Sequence, residues 1–141
     1  MIALLNDLLG GLGGWLGMPG LTMQAVLGTL LAPLAWLMGV PWEDASRVGA
    51  LLGVKTVLNE FLAYQQLAAH VEAGQLAQRS AVIASYALCG FANFGSLAIL
   101  LGGIGGLAPS RRPEVARYGL RCILAGSLAT FMTACVAGML L

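Results

Sequence analysis

Cys89-Gly90-Phe91-Ala92-Asn93-Phe94-Gly95-Ser96 lies near the centre of the longest uncharged stretch of this chain, with no Asp, Glu, Lys or Arg between Arg79 and Arg111. A helix needs about 20 apolar residues to cross about 30 Å of hydrocarbon, so a span drawn through this stretch places Asn93 and Ser96 near its middle. An amide at that depth is costly without a partner, and it offers both a donor and an acceptor. Ser96 follows Asn93 by three residues, on the same helical face. Gly90 and Gly95 are expected to loosen the helix on either side of Asn93. A glycine-interrupted hydrophobic segment of this kind points to a transporter substrate site.

Glu60 is the second anomaly, a carboxylate inside another apolar segment. Intramembrane acids face a cavity or a partner, which makes function the default reading. The bland alternative is a salt bridge to Lys55 or Arg47, or a cap at a helix break. A carboxylate held by hydroxyl donors stays ionised, and an unpaired one is pushed towards protonation, so proton coupling through Glu60 stays open. Asn93 also has two readings, a ligand contact or an interhelical hydrogen bond worth about 0.6 kcal/mol. Ser96 can bond its own helix backbone. Phe91 can pack in the core or stack on a heterocycle. Lys55 and Asn59, four residues apart, can pair locally, and Lys55 reads as structural. His70, beside Glu72 at a segment end, reads as solvated.

No Ser/His/Asp set, metal-ligand spacing or phosphate loop is present, so catalysis has no foothold and no cofactor is expected. Cys89, Cys122 and Cys135 form no CxxC pair and read as small buried hydrophobes. No basic patch is interleaved with aromatics, which argues against nucleic acid. With 59% hydrophobic and 9% charged residues, against about 25% charged in soluble domains, the chain reads as an all-α integral membrane protein in contact with a lipid bilayer.

Five apolar segments would position these residues. Residues 1–18 read as the end of a transmembrane helix closed by Pro19-Gly20. Residues 21–40 read as an interfacial or buried helix that Pro33 would kink or break. Pro41-Trp42-Glu43-Asp44 is a helix-start signature, the acids complementing the amino-terminal dipole end. Residues 44–71 carry Arg47, Lys55 and Glu60 and divide into two arms too short to cross. A re-entrant helical hairpin with Leu58-Asn59-Glu60-Phe61 near its tip accounts for both facts. Residues 80–108 read as a discontinuous transmembrane helix and 113–141 as the final one. Arg111, Arg112, Arg117 and Arg121 predict a cytoplasmic 109–121 connection and an outside carboxyl terminus.

Gly39-Val40-Pro41-Trp42, Lys55-Thr56-Val57-Leu58-Asn59-Glu60-Phe61, Ala87-Leu88-Cys89-Gly90-Phe91-Ala92-Asn93, and Ala108-Pro109 before Arg111-Arg112 together resemble the carboxyl-terminal portion of concentrative nucleoside transporters. The resemblance implies a homotrimeric nucleoside:cation symporter of the cell membrane, coupled to Na+ or H+, with hairpins and broken helices arranged as inverted repeats. It implies that Glu60, Asn93 and Ser96 hydrogen-bond the ribose and that Phe91 lies against the nucleoside. The family's first hairpin, which reads the base, and the sodium site have no counterpart in these residues, and Gly95 stands where relatives often have a small hydroxyl residue. The expectation is therefore a ribose-recognising part of a symporter, either a carboxyl-terminal fragment or one partner of a separate amino-terminal half. The alternative is a non-transporting membrane remnant or assembly subunit.

Overall fold

The computed structural model describes residues 2–15, 17 and 20–141, the side chains of Ile2, Ala3 and Leu5 excepted. Among the described residues the elements are α1 (Ile2–Trp15), α2 (Met23–Leu37), α3 (Trp42–Val57), α4 (Glu60–Glu72), α5 (Gln78–Leu88), α6 (Phe94–Leu107), a 3-10 turn (Pro109–Arg111) and α7 (Arg112–Leu140), with no strand. Pro19, expected to close the first segment, lies outside the described residues. Arg117 and Arg121 belong to α7 rather than to a loop.

The core begins where α2 folds back on α3 through 117°. Gly39 makes the turn, with a φ of 99° that side chains rarely adopt. Small residues then bring the two backbones together. A Cβ on Gly49 would stand 2.7 Å from the Gly28 carbonyl and 2.9 Å from the Ala32 nitrogen. Of the kink or break expected at Pro33, the break is not found, and α2 continues as helix through it. Pro33 forfeits one backbone hydrogen bond, but the face bearing Gly28, Ala32 and Ala35 is already buried.

On α3, Val48, Leu51, Leu52 and Val54 are excluded from solvent, and α5 adds Ile83, Ala84, Ala87 and Leu88. Arg79 then joins three elements, its guanidinium donating to the carbonyls of Gly39 and Gly138. The Pro109–Leu140 stretch is long and apolar enough to cross a membrane. Its residues from Cys122 to Leu140 carry no charge, and Leu120, Leu124, Leu128 and Met132 leave an apolar face exposed. The cysteines depart from expectation: Cys89 and Cys122 are exposed and Cys135 is half-buried. Cys122 borders a cleft between α6 and α7 rather than the core.

Candidate functional site

Two chain breaks build the site, and both restart in the same way. After α3 the chain turns at Leu58, and Asn59 adopts extended backbone with its Oδ1 accepting the Leu62 N–H at 3.0 Å. After α5 the chain leaves the helix at Cys89, and Asn93, again extended, accepts the Ser96 N–H at 2.7 Å. Asparagine is among the best residues for this task, because its side-chain oxygen satisfies an amide the new helix cannot. Each arm is short: α5 has 11 residues and α6 has 14, so neither reaches across about 30 Å alone.

The breaks are joined by one hydrogen bond. Asn93 Nδ2 donates to Glu60 Oε2 at 2.8 Å. Asn93 is 1% exposed, and its single amide thus both caps α6 and holds the carboxylate at the start of α4. Glu60 is the first residue of α4, where the positive end of the helix dipole favours an anion. The ion pairs among the described residues join Arg47 to Asp44 and Arg111 to Glu114. The alternative of a Glu60 salt bridge to Lys55 or Arg47 is therefore not what the structure contains.

The helix is broken between Leu88 and Phe94, where the glycines beside Asn93 are expected to loosen it. Neither has a positive φ. A Cβ on Gly95 would lie 2.9 Å from the Leu58 carbonyl, and one on Gly90 would lie 2.7 Å from a Thr130 methyl. Their function in packing is close approach, which brings the hairpin break against α6 and the second break against α7.

The carbonyl end of α5 is fully satisfied. A helix leaves its last four carbonyls without intrahelical partners. Here Tyr86 receives the Cys89 N–H and Leu88 the Gly90 N–H. Ser85 receives the Tyr64 hydroxyl at 2.6 Å, and Ala87 receives Lys55 Nζ at 3.3 Å. The two side-chain donors come from α4 and α3 respectively, so both arms of the hairpin grip the break. At the other end of α5, Asp44 Oδ2 accepts from the Ala77 N–H at 3.0 Å and the Ser80 hydroxyl at 2.6 Å. Helix α3 therefore runs parallel to α5, with an acid at its amino end and a base at its carboxyl end, the pairing its dipole favours.

The four residues expected from the sequence, Glu60, Phe91, Asn93 and Ser96, line one open cleft of about 230 Å³ together with Asn59 and Ile99. Phe91 is 76% exposed at its margin. Among the described residues nothing hydrogen-bonds Glu60 Oε1 or Ser96 Oγ, so an acceptor and a hydroxyl remain available to a ligand. A second cleft of about 280 Å³, between α6 and α7, shares Phe91, Asn93 and Ser96 but not Glu60. Among the described residues no three His, Cys, Asp or Glu side chains gather to hold a metal ion.

Sequence reasoning missed Asp44 and Tyr64 as partners of α5 and placed Lys55 with Asn59. Instead, Lys55 reaches Ala87 and Thr130, and Asn59 caps α4. His70 is partly exposed and meets Gln75 Oε1 at 2.6 Å in an exposed hydrogen bond. A signal for α5 was present: Asp44 and Lys55 are opposite charges 11 residues apart, three turns on one helix face, and they match an 11-residue helix.

Two helix breaks joined by a polar pair beside an open cleft, in an all-helical chain, are the kind of elements from which transporter sites are built. Residues 1–138 match the family described as "Na+ dependent nucleoside transporter C-terminus", and the chain belongs to that family. It is 50% identical over 139 residues to the uncharacterized transporter YutK of Bacillus subtilis, covering 99% of this chain and 34% of that protein. It is 46% identical to the putative nucleoside permease NupX of Escherichia coli, covering 89% of this chain and 30% of that protein. To human solute carrier family 28 member 3 it is 39% identical, covering 99% and 22%. The chain thus spans about a third of the bacterial relatives, which are a transporter and a permease rather than enzymes. A solved structure of CNTnw, inward-facing and substrate-bound, superposes with a TM-score of 0.91 at 49% identity, over 97% of this chain and 34% of that one. An outward-facing structure of a CNTnw variant gives 0.89 at 48% identity, over 97% and 33%.

Proposed function

We propose that this chain forms the carboxyl-terminal part of a nucleoside:cation symporter of the cell membrane and supplies the ribose-recognising half of its site. The observation that carries the reading is the Asn93–Glu60 hydrogen bond at the edge of the 230 Å³ cleft. It orients one carboxylate oxygen and leaves the other, with Ser96 Oγ, to engage vicinal hydroxyls. A carboxylate accepts from a hydroxyl, and the serine can donate or accept. Phe91 offers an apolar face beside them.

Transport proceeds by alternating access, with the 44–71 re-entrant hairpin and the 80–108 broken helix moving as one body. The clamp on the end of α5 supports this, as does the similar likeness to inward- and outward-facing CNTnw. Residues 109–121 lie on the cytoplasmic side and the carboxyl terminus outside, the arrangement the four arginines favour. Base recognition and the Na+ or H+ site belong to a first repeat, in the same protein or in a separate amino-terminal half, and the assembly is a homotrimer. The comparisons lend nothing to the rival reading of a non-transporting remnant.

The test is uptake of radiolabelled uridine by the native protein in proteoliposomes, under a sodium or a proton gradient, with 2′,3′-dideoxyuridine as competitor. Two hydrogen bonds to a charged or shared acceptor predict at least about a tenfold weaker competitor. Equal competition by the dideoxynucleoside removes the ribose assignment, and absence of uptake under either gradient removes the symport reading.

A further inference from the structure

Lys55 is fully buried, and the substrate reading leaves it unused. Its Nζ lies 3.3 Å from the Ala87 carbonyl and 3.4 Å from Thr130 Oγ1, with the Phe131 ring centroid at 5.6 Å. Thr130 sends its own hydrogen to the Ser127 carbonyl at 2.9 Å, which turns its lone pairs towards the lysine. The surroundings are thus a half-helix carbonyl, a hydroxyl oxygen and an aromatic face, with no carboxylate within ion-pairing distance among the described residues. Such a set attracts a small cation. The carbonyl end of a half-helix carries the negative pole of its dipole, and in transporter cores it is where a mobile coupling cation is coordinated.

We propose that the Lys55 ammonium is a resident cation of the second break, a tethered substitute for a mobile ion at the carbonyl end of α5. The compact ammonium suits two oxygens that converge on a point better than a planar guanidinium does. Because it is covalently attached to the hairpin, it stays through every transport state. This break therefore recruits no ion from solution, and cation coupling resides elsewhere in the protein. Lys55 acts on substrate only through Asn93, six residues beyond Ala87, and is a positioning residue. The coupling consequence rests on the proposed symport, whereas the cation site itself does not.

The experiment is thermal unfolding of the native protein and of Lys55→Ala, Lys55→Met and Lys55→Arg in detergent, which requires no transport. The expected result is a lowered Tm for the alanine and methionine variants, with most of the loss recovered by arginine. Methylammonium at about 100 mM, acting on a site with a Kd of about 10 mM, raises the Tm of Lys55→Ala by about 4 °C. It leaves the native protein and Lys55→Met unmoved, and choline at equal ionic strength has no effect. A Lys55→Met protein as stable as the native one overturns the proposal, as does a Lys55→Ala protein that responds no more to methylammonium than to choline. Where the alanine variant does not fold, the other two decide: a folded arginine variant beside an unfolded methionine variant supports the resident cation, and identical behaviour of the two overturns it. Failure of uridine uptake with a positive methylammonium response would remove the transport reading and leave the cation site standing.

Discussion

Asn93 and Glu60 meet at 2.8 Å across 33 residues of sequence, each at the start of a helix that resumes after a break. The bond makes two restarts into one unit. Asn93 is buried with both its amide nitrogen and its amide oxygen engaged, whereas Glu60 has one oxygen engaged and one open, so the two are not interchangeable under mutation.

Glu60→Gln can still accept from Asn93 but loses the charge and offers an amide where a second acceptor stood. Ribonucleoside affinity falls about 10- to 100-fold in equilibrium binding, with little change in thermal stability. Glu60→Ala also strands the buried Asn93 amide and costs about 1–3 kcal/mol of stability. Native affinity in the glutamine variant would contradict a ribose-binding carboxylate.

Phe91 separates binding from folding most cleanly. It is 76% exposed, so Phe91→Ala leaves stability within about 0.5 kcal/mol. Losing an aromatic contact weakens nucleoside binding about 3- to 10-fold. Titration calorimetry beside a melting curve checks both, and an unaltered affinity removes Phe91 from the site.

Gly95→Ala places a methyl 2.9 Å from the Leu58 carbonyl, and backbone must move to admit it. The expected cost is about 1–3 kcal/mol, together with weaker binding as the hairpin retreats from α6. Gly103→Ala is the control. It lies on the same helix with open space around it, and it should be neutral or stabilising by up to about 1 kcal/mol. Equal melting temperatures for the two variants would refute close approach as the reason for Gly95.

Asp44→Ala uncaps α5 from outside, freeing the Ala77 N–H and the Ser80 hydroxyl. Hydrogen exchange should rise at 77–81 with a stability loss of about 1–3 kcal/mol. Asp44→Asn, which keeps one acceptor, should lose less. Unchanged protection at 77–81 in the alanine variant would show that water replaces the cap.

The polar residues out of place in apolar runs were the legible part of the site, because burying an amide or a carboxylate demands a partner that composition alone makes conspicuous. Glu60, Asn93 and Ser96 stand out on that ground, and the structure lines one cleft with them. That Asn93 caps its own restart was not legible as such, since an N-cap and a ligand contact call for the same residue type. The glycines marked the break correctly, but their close approach to Leu58 and Thr130 was not legible, because sequence cannot tell a glycine needed for its backbone freedom from one needed for its missing side chain. Pro33 does not break α2, whose face of Gly28, Ala32 and Ala35 is buried against α3. Asp44, Lys55 and Tyr64 serve a helix that begins later in the chain, and contacts of that range leave only a faint trace in spacing.

Arg79 reaches back to Gly39 and forward to Gly138, and Lys55 reaches Thr130, 75 residues later. The contacts to Gly138 and Thr130 wait on α7. During synthesis the hairpin and α5 are made before the helix that completes their hydrogen bonds. Until then Arg79 holds only Gly39 and Lys55 only Ala87, and an incompletely partnered cation is costly in hydrocarbon. These segments are therefore completed only when α7 packs against them. Substitutions on the buried face of α7, at Thr130 or Gly138, should consequently show themselves first as failed membrane assembly and only secondarily as altered transport.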